Sequence, residues 1–147
     1  MRRVFVFGAP VAAWLIVFAA VVNLGAERAG QTPAGGGRWT IPDGAETEKN
    51  PLPANAVTRA NGKRLFVSTC QRCHGALGKG DGEDGDPNHM DDMDLTPAAG
   101  AKKNPDGVVF YKIWNGRESP KMPPQKDDLS KEQVWAIVAY VQTLRGK

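Results

Sequence analysis

Cys70-Gln71-Arg72-Cys73-His74 sets two thiols one helical turn apart and puts an imidazole directly after the second. These are the only cysteines among 147 residues, too few for a disulfide-built scaffold. Cys-x-x-Cys-His is the attachment signature of c-type haem. Two intervening residues place each thiol where it can add to one haem vinyl group, and the next residue presents its imidazole to the iron. The expected roles are thioether anchors for Cys70 and Cys73 and proximal ligand for His74. The second ring nitrogen of His74 is expected to be fixed by a hydrogen bond, most simply to a backbone carbonyl. Two other chemistries use the same residue types. Thiol exchange at Cys-x-x-Cys asks for a βαβ setting. A zinc site would combine Cys70, Cys73, His74 and His89, although structural zinc favours paired ligand groups.

Candidates for the opposite side of the iron are His89, Met90, Met93 and Met122. Met122 lies 48 residues after His74, and Pro123 and Pro124 stiffen the loop that would hold its thioether over the haem. Sulfur favours reduced iron, so a His/Met pair raises the potential. His89 would lower it, but lies in the acidic stretch 81–94, which reads as a solvated loop suited to steering a partner. Met90 and Met93 read as packing against the haem edge. The acidic stretch fails as a calcium loop. Asp84, Asp86 and Asn88 fit the first three EF-hand positions, but His89 stands at the glycine position and Leu95 at the closing glutamate.

Three amphipathic patterns must position these groups. Asn55 can cap a helix over Ala56–Thr69, with Gly62, Leu65, Phe66 and Thr69 on one face. Asn104 can cap a second, with Pro105 at its first position, Phe110, Ile113 and Trp114 on one face, and Gly116 as its stop. Ser130 and Gln133 form a capping-box pair ahead of Val134, Ile137, Val138, Val141 and Leu144. No alternating strand competes, so the domain is expected to be all-α. Its thin core would be stapled by a covalent cofactor. Phe110, Tyr111, Ile113, Trp114, Leu95 and Pro97 are expected to wall the cofactor pocket. Lys79, Lys121 and Lys126 flank the motif and the Met122 loop.

Residues 55–147 resemble class I monohaem c-type cytochromes. The resemblance rests on the Cys-x-x-Cys-His motif, on Gly62 and Phe66, and on Gly75-Ala76-Leu77-Gly78-Lys79-Gly80-Asp81-Gly82. It continues through Asp94-Leu95-Thr96, Asn115-Gly116, Met122-Pro123-Pro124 and a closing helix with Trp135 and Tyr140. It implies a cytochrome c fold of short helices around one covalent haem c, with Met122 as sixth ligand. It also implies crossed first and last helices in which Gly62 and Phe66 meet Tyr140.

Upstream, residues 4–26 carry no charge and follow Arg2 and Arg3. At about 1.5 Å per residue such a run crosses a bilayer as a helix. It reads as an uncleaved transmembrane anchor in contact with membrane lipid, with a cleaved signal peptide as the alternative. Either sends the remainder to the extracytoplasmic or periplasmic side, because Arg2 and Arg3 stay in the cytoplasm. Residues 1–26 are thus an anchor or signal, 27–54 a Gly/Pro-rich linker and 55–147 the cytochrome c domain. Trp39-Thr40-Ile41-Pro42 is the linker's apolar exception and a candidate for docking elsewhere. The net charge is +3, of which Arg2 and Arg3 supply two, so nucleic acid is not an expected partner.

The expectation is a one-electron carrier, not an enzyme, working between respiratory redox complexes or as a subunit of one. A haem-based ligand binder or sensor with a displaceable Met122 is the alternative.

Overall fold

The computed structural model describes residue 1 and residues 39–146. The expected anchor, the signal alternative and the first part of the linker lie outside the described residues. Among those described, no helix is long and apolar enough to cross a membrane. The described helices belong to one unit, Thr32–Lys147. They are α1 (Ala56–Thr69), α2 (Gln71–His74), α3 (Met90–Met93), α4 (Ala98–Lys103), α5 (Asp106–Asn115) and α6 (Lys131–Gln142), with a 3-10 turn at Pro87–His89 before α3. The only extended pairings among the described residues are isolated antiparallel bridges, Lys79 with Asp94 and Arg117 with Met122. The expected all-α class is observed.

The crossing of α1 and α6 is the core. Asn55 accepts from the Thr58 N–H at 2.9 Å and so starts α1 where its spacing predicts. The capping box of α6 forms in both directions, Gln133 N to Ser130 Oγ at 3.2 Å and Ser130 N to Gln133 Oε1 at 2.8 Å. Gly62 meets the backbone of α6, where any Cβ would collide with the Ala136 carbonyl oxygen. That missing side chain lets the helices touch, and Phe66 then meets Tyr140 in a tilted pair with ring centroids 5.3 Å apart. Gly62, Phe66 and Tyr140 meet as expected. Phe66, Val134, Ile137 and Val138 are fully buried. Burial of this kind contributes about 1.5–3 kcal/mol per large side chain.

The second predicted helix starts later than its spacing suggests. Asn104 closes α4, its N–H bonding the Gly100 carbonyl at 2.8 Å, and α5 begins at Asp106. Pro105 has no N–H and adopts an extended ψ of 172°, so it stands at the cap of α5 rather than inside it. The short helices α3 and α4 carry too few apolar residues to be visible as a period.

The later part of the expected linker is packed onto the domain. Ala45 is buried against Gly107, whose N–H bonds the Glu48 carbonyl at 3.2 Å. Asn50 donates from Nδ2 to the Trp135 carbonyl at 2.8 Å and from its N–H to Asp106 at 3.2 Å. These partners are backbone groups and one carboxylate, which is why a Gly/Pro-rich composition did not reveal a docked strap.

Candidate functional site

The last turn of α1 and the single turn of α2 deliver the motif. The Cys70 N–H bonds the Phe66 carbonyl at 2.8 Å, and the His74 N–H bonds the Cys70 carbonyl at 3.0 Å. Cys70, Cys73 and His74 thereby line one cavity of about 200 Å³ between α1, α5, α6 and the loops. No disulfide joins Cys70 and Cys73. Burial, with a smaller contribution from Cys73, pushes the Cys70 thiol up to about 12. That shift is opposite to the one that makes the low-pKa thiolates of exchange sites.

His74 Nδ1 lies 2.8 Å from the Met93 carbonyl oxygen. A carbonyl can only accept, so Nδ1 carries the proton and Nε2 keeps its lone pair. Burial lowers the His74 pKa, and the bond to Met93 opposes this more weakly. The ring is thus neutral and oriented, as a metal-ligating imidazole must be. The acceptor segment is itself fixed, since the Leu95 N–H bonds the Gly78 carbonyl at 2.7 Å and the Asp94 N–H bonds the Met90 carbonyl at 2.9 Å.

Met122 lines the same cavity as the motif. Its backbone pairs reciprocally with Arg117, N to O at 2.9 Å and O to N at 2.8 Å. Gly116 permits this turn with φ +60°, and a Cβ there would press on the Met122 carbonyl and Pro124. Met93 also lines the cavity, on the segment behind His74, whereas Met90 is exposed. His89 is not in the lining. Its Nδ1 lies 2.7 Å from Asp86 Oδ2. Among the described residues, no three His, Cys, Asp or Glu side chains are grouped to hold a metal ion. Part of the acidic loop folds onto the motif itself, with Arg72 reaching Glu83 at 3.2 Å and Asp84 at 2.9 Å.

The expected pocket wall needs correction. Ile113 and Leu95 line the cavity, together with Phe66, Val109, Ile137 and Val141. Phe110, Tyr111, Trp114 and Pro97 do not. Phe110 stacks between Trp114 and Trp135, at 5.7 and 4.3 Å, on another face of α5. The 100° step of a helix puts Val109, Lys112 and Ile113 on the cavity side and turns Phe110 and Trp114 away. Of the flanking lysines, only Lys121 reaches the lining.

Sequence reasoning missed the polar end of the cavity, which gathers Lys112, Arg117, Lys121, Arg145, Asn104 and Trp39. Lys112 donates to Asn104 Oδ1 at 2.6 Å. The Trp39 ring lies 5.2 Å from Lys112 Nζ and 4.7 Å from the Arg117 guanidinium carbon. Burial lowers the pKa of Lys112 and of Arg145, and the charge of Arg117 adds to this at Lys112. Arg145 Nε is buried without a hydrogen-bond partner among the described residues. A cationic end with an unpartnered donor, facing an apolar body flanked by two thiols, fits an amphipathic group that carries carboxylates, as haem does. Of these residues the sequence singles out Trp39 as an aromatic in a Gly-rich stretch, Lys121 as a lysine beside the Met122 loop and Asn104 as a helix cap, but nothing in it brings them together.

The family model for cytochrome c matches residues 59–145, and the chain belongs to this family, as a class I c-type cytochrome. Family membership implies covalently bound haem c and makes the chain an electron carrier rather than an enzyme. Similar proteins include the Cbb3-type cytochrome c oxidase subunit FixP of Azorhizobium caulinodans, 33% identical over 94 residues, which cover 64% of this chain and 30% of that protein. The subunit of the same name from Bradyrhizobium diazoefficiens is 32% identical over 87 residues, covering 59% of this chain and 28% of that protein. The chain thus matches less than a third of the length of these relatives.

Proposed function

We propose that the protein is a membrane-tethered one-electron carrier whose single haem c faces the extracytoplasmic side, as a shuttle between respiratory redox complexes or a subunit of one. In this reading residues 1–26 anchor, residues up to 54 connect, and residues 55–147 form the haem domain. The relatives' name, a subunit of a cbb3-type oxidase, supports the respiratory setting. Haem supplies the one-electron couple. Cys70 and Cys73 hold it by two thioethers, His74 Nε2 and Met122 Sδ hold the iron, and the apolar lining keeps water from it. Lys112, Arg117 and Arg145 would meet its carboxylates. The observation that carries this reading is the meeting of both cysteines, Met122 and a tautomer-fixed His74 around one cavity.

The test is the optical spectrum of the purified protein, oxidised and reduced. A covalent c-type spectrum with the weak far-red band of sulfur-ligated ferric haem is expected. Haem without that band, or carbon monoxide binding at neutral pH, would move the reading to a ligand binder with a displaceable Met122. A colourless product from cells with intact haem-attachment machinery would end the haem assignment.

A further inference from the structure

We infer that Arg117 is the lock that holds Met122 over the cavity, and that it ties this lock to the segment orienting His74. The inference rests on the reading of Met122 as sixth ligand.

Arg117 holds the Met122 loop in two ways. Its backbone makes the reciprocal pair with Met122, and its Nε donates to the Pro120 carbonyl at 2.9 Å, so one residue grips the loop on both sides of Lys121. Its Nη2 then lies 3.1 Å from Asp92 Oδ2. Asp92 belongs to α3 and directly precedes Met93, whose carbonyl orients His74. Among the described residues, this is the only side-chain hydrogen bond or ion pair between the loop that carries Met122 and the segment that holds His74. The Arg117 side chain is only 13% exposed, with the Trp39 ring 4.7 Å from its guanidinium carbon, so its end of the pair is less screened than that of a free surface pair. A planar fork serves both partners at once, which a lysine could not do. The position therefore does more than add a positive charge. It converts a loop that could swing away into one tethered across the cavity edge, and it makes release of the distal ligand depend on a residue of the proximal segment.

Cyanide binding to the ferric holoprotein reads this directly, because Met122 must leave before cyanide can bind. Arg117→Gln is expected to bind cyanide about tenfold faster, the scale of losing a hydrogen bond from a charged donor. Asp92→Asn, at a side chain 43% exposed and so compatible with folding, is expected to bind it about threefold faster while the far-red sulfur band persists. The double variant should be no faster than Arg117→Gln alone, because Asp92 acts only through Arg117. A residue of purely structural value would lower the thermal midpoint without changing this rate. If Asp92→Asn binds cyanide at the wild-type rate, or the two effects simply multiply, the lock is overturned while Met122 keeps its role. If the wild-type protein lacks the sulfur band and binds cyanide as fast as Met122→Ala, the ligand assignment falls and takes the lock with it.

Discussion

On the His74 side, the chain that wraps the motif is stitched by backbone bonds, Gly78 N to Gly75 O at 3.1 Å, Gly80 N to His74 O at 2.9 Å and Leu95 N to Gly78 O at 2.7 Å. The Met122 loop closes on itself through its pair with Arg117. It joins the rest of the domain through the Gln125 N–H on the Ile113 carbonyl at 3.0 Å and the Arg117 side chain on Asp92. Backbone bonds buried under a glycine-rich loop hold one geometry whatever the side chains do. A loop whose polar ties to the rest of the domain are one backbone bond and one guanidinium, with Met122 and Leu129 packed on the core, can open without unfolding the helices. The two sides of one cavity therefore suit the proposed division of roles, an imidazole held fixed at His74 and a thioether at Met122 that is held but can be released.

The largest expected effect falls on the stitched side. His74→Ala should abolish stable holoprotein, because it removes the imidazole that the Met93 carbonyl orients and that is proposed to ligate the iron. The measurement is haem content and low-spin spectrum after purification, and a normal low-spin spectrum would break the comparison outright. On the looser side, Met122→Ala should leave haem attached through Cys70 and Cys73 but remove the sulfur band. It should also lower the potential by a sizeable part of the roughly 0.8 V range that axial ligands command. A redox titration that returns an unchanged potential would remove Met122 from the iron.

Two glycines with positive φ sharpen the contrast, one on each side. Gly80 has φ +77°, and a Cβ there would stand 2.9 Å from Met93 Cβ. Gly116 has φ +60° and faces the Met122 carbonyl. Alanine at either should cost about 1–3 kcal/mol through the backbone conformation alone. The spectra should differ. Gly116→Ala should weaken the sulfur band, because the displaced loop carries Met122, the proposed ligand. Gly80→Ala should keep the band and show its cost in the denaturation midpoint of the ferric holoprotein. A sulfur band equally weakened in both would mean that the two sides move together.

The helical core and the attachment motif were legible because both obey local rules. Asn55 and the Ser130/Gln133 box cap where short-range chemistry says they should, and Cys70, Cys73 and His74 are neighbours in sequence before they are neighbours in space. Gly62 against α6 and Phe66 on Tyr140 came from the family resemblance, since nothing local pairs those positions. What stayed hidden depends on long-range pairing of charges. Arg117, Lys112 and Arg145 come from three separate segments, and single basic residues in a sequence look like solubilising charge. Phe110 and Trp114 share a face with Ile113 by spacing alone, but the angular step along α5 turns them toward Trp135 instead.

The smallest expected effect belongs to His89, the other histidine and the rival to Met122. Its ring is engaged with Asp86 at 2.7 Å, the two side chains are 41% and 39% exposed, and neither lines the cavity. Its hydrogen bond to His89 is one of the contacts that hold the Asp86 carboxyl below its ordinary range, after the bond from the Asn88 N–H. Replacing a partner in so exposed a pair costs little stability. His89→Ala should therefore leave the potential, the sulfur band and the cyanide rate of the holoprotein where they were. Paired with Met122→Ala, it isolates the loop that matters. If the potential rises on His89→Ala, the acidic loop supplies an iron ligand, and the division between a stitched side and a releasable one must be redrawn around residues 81–94.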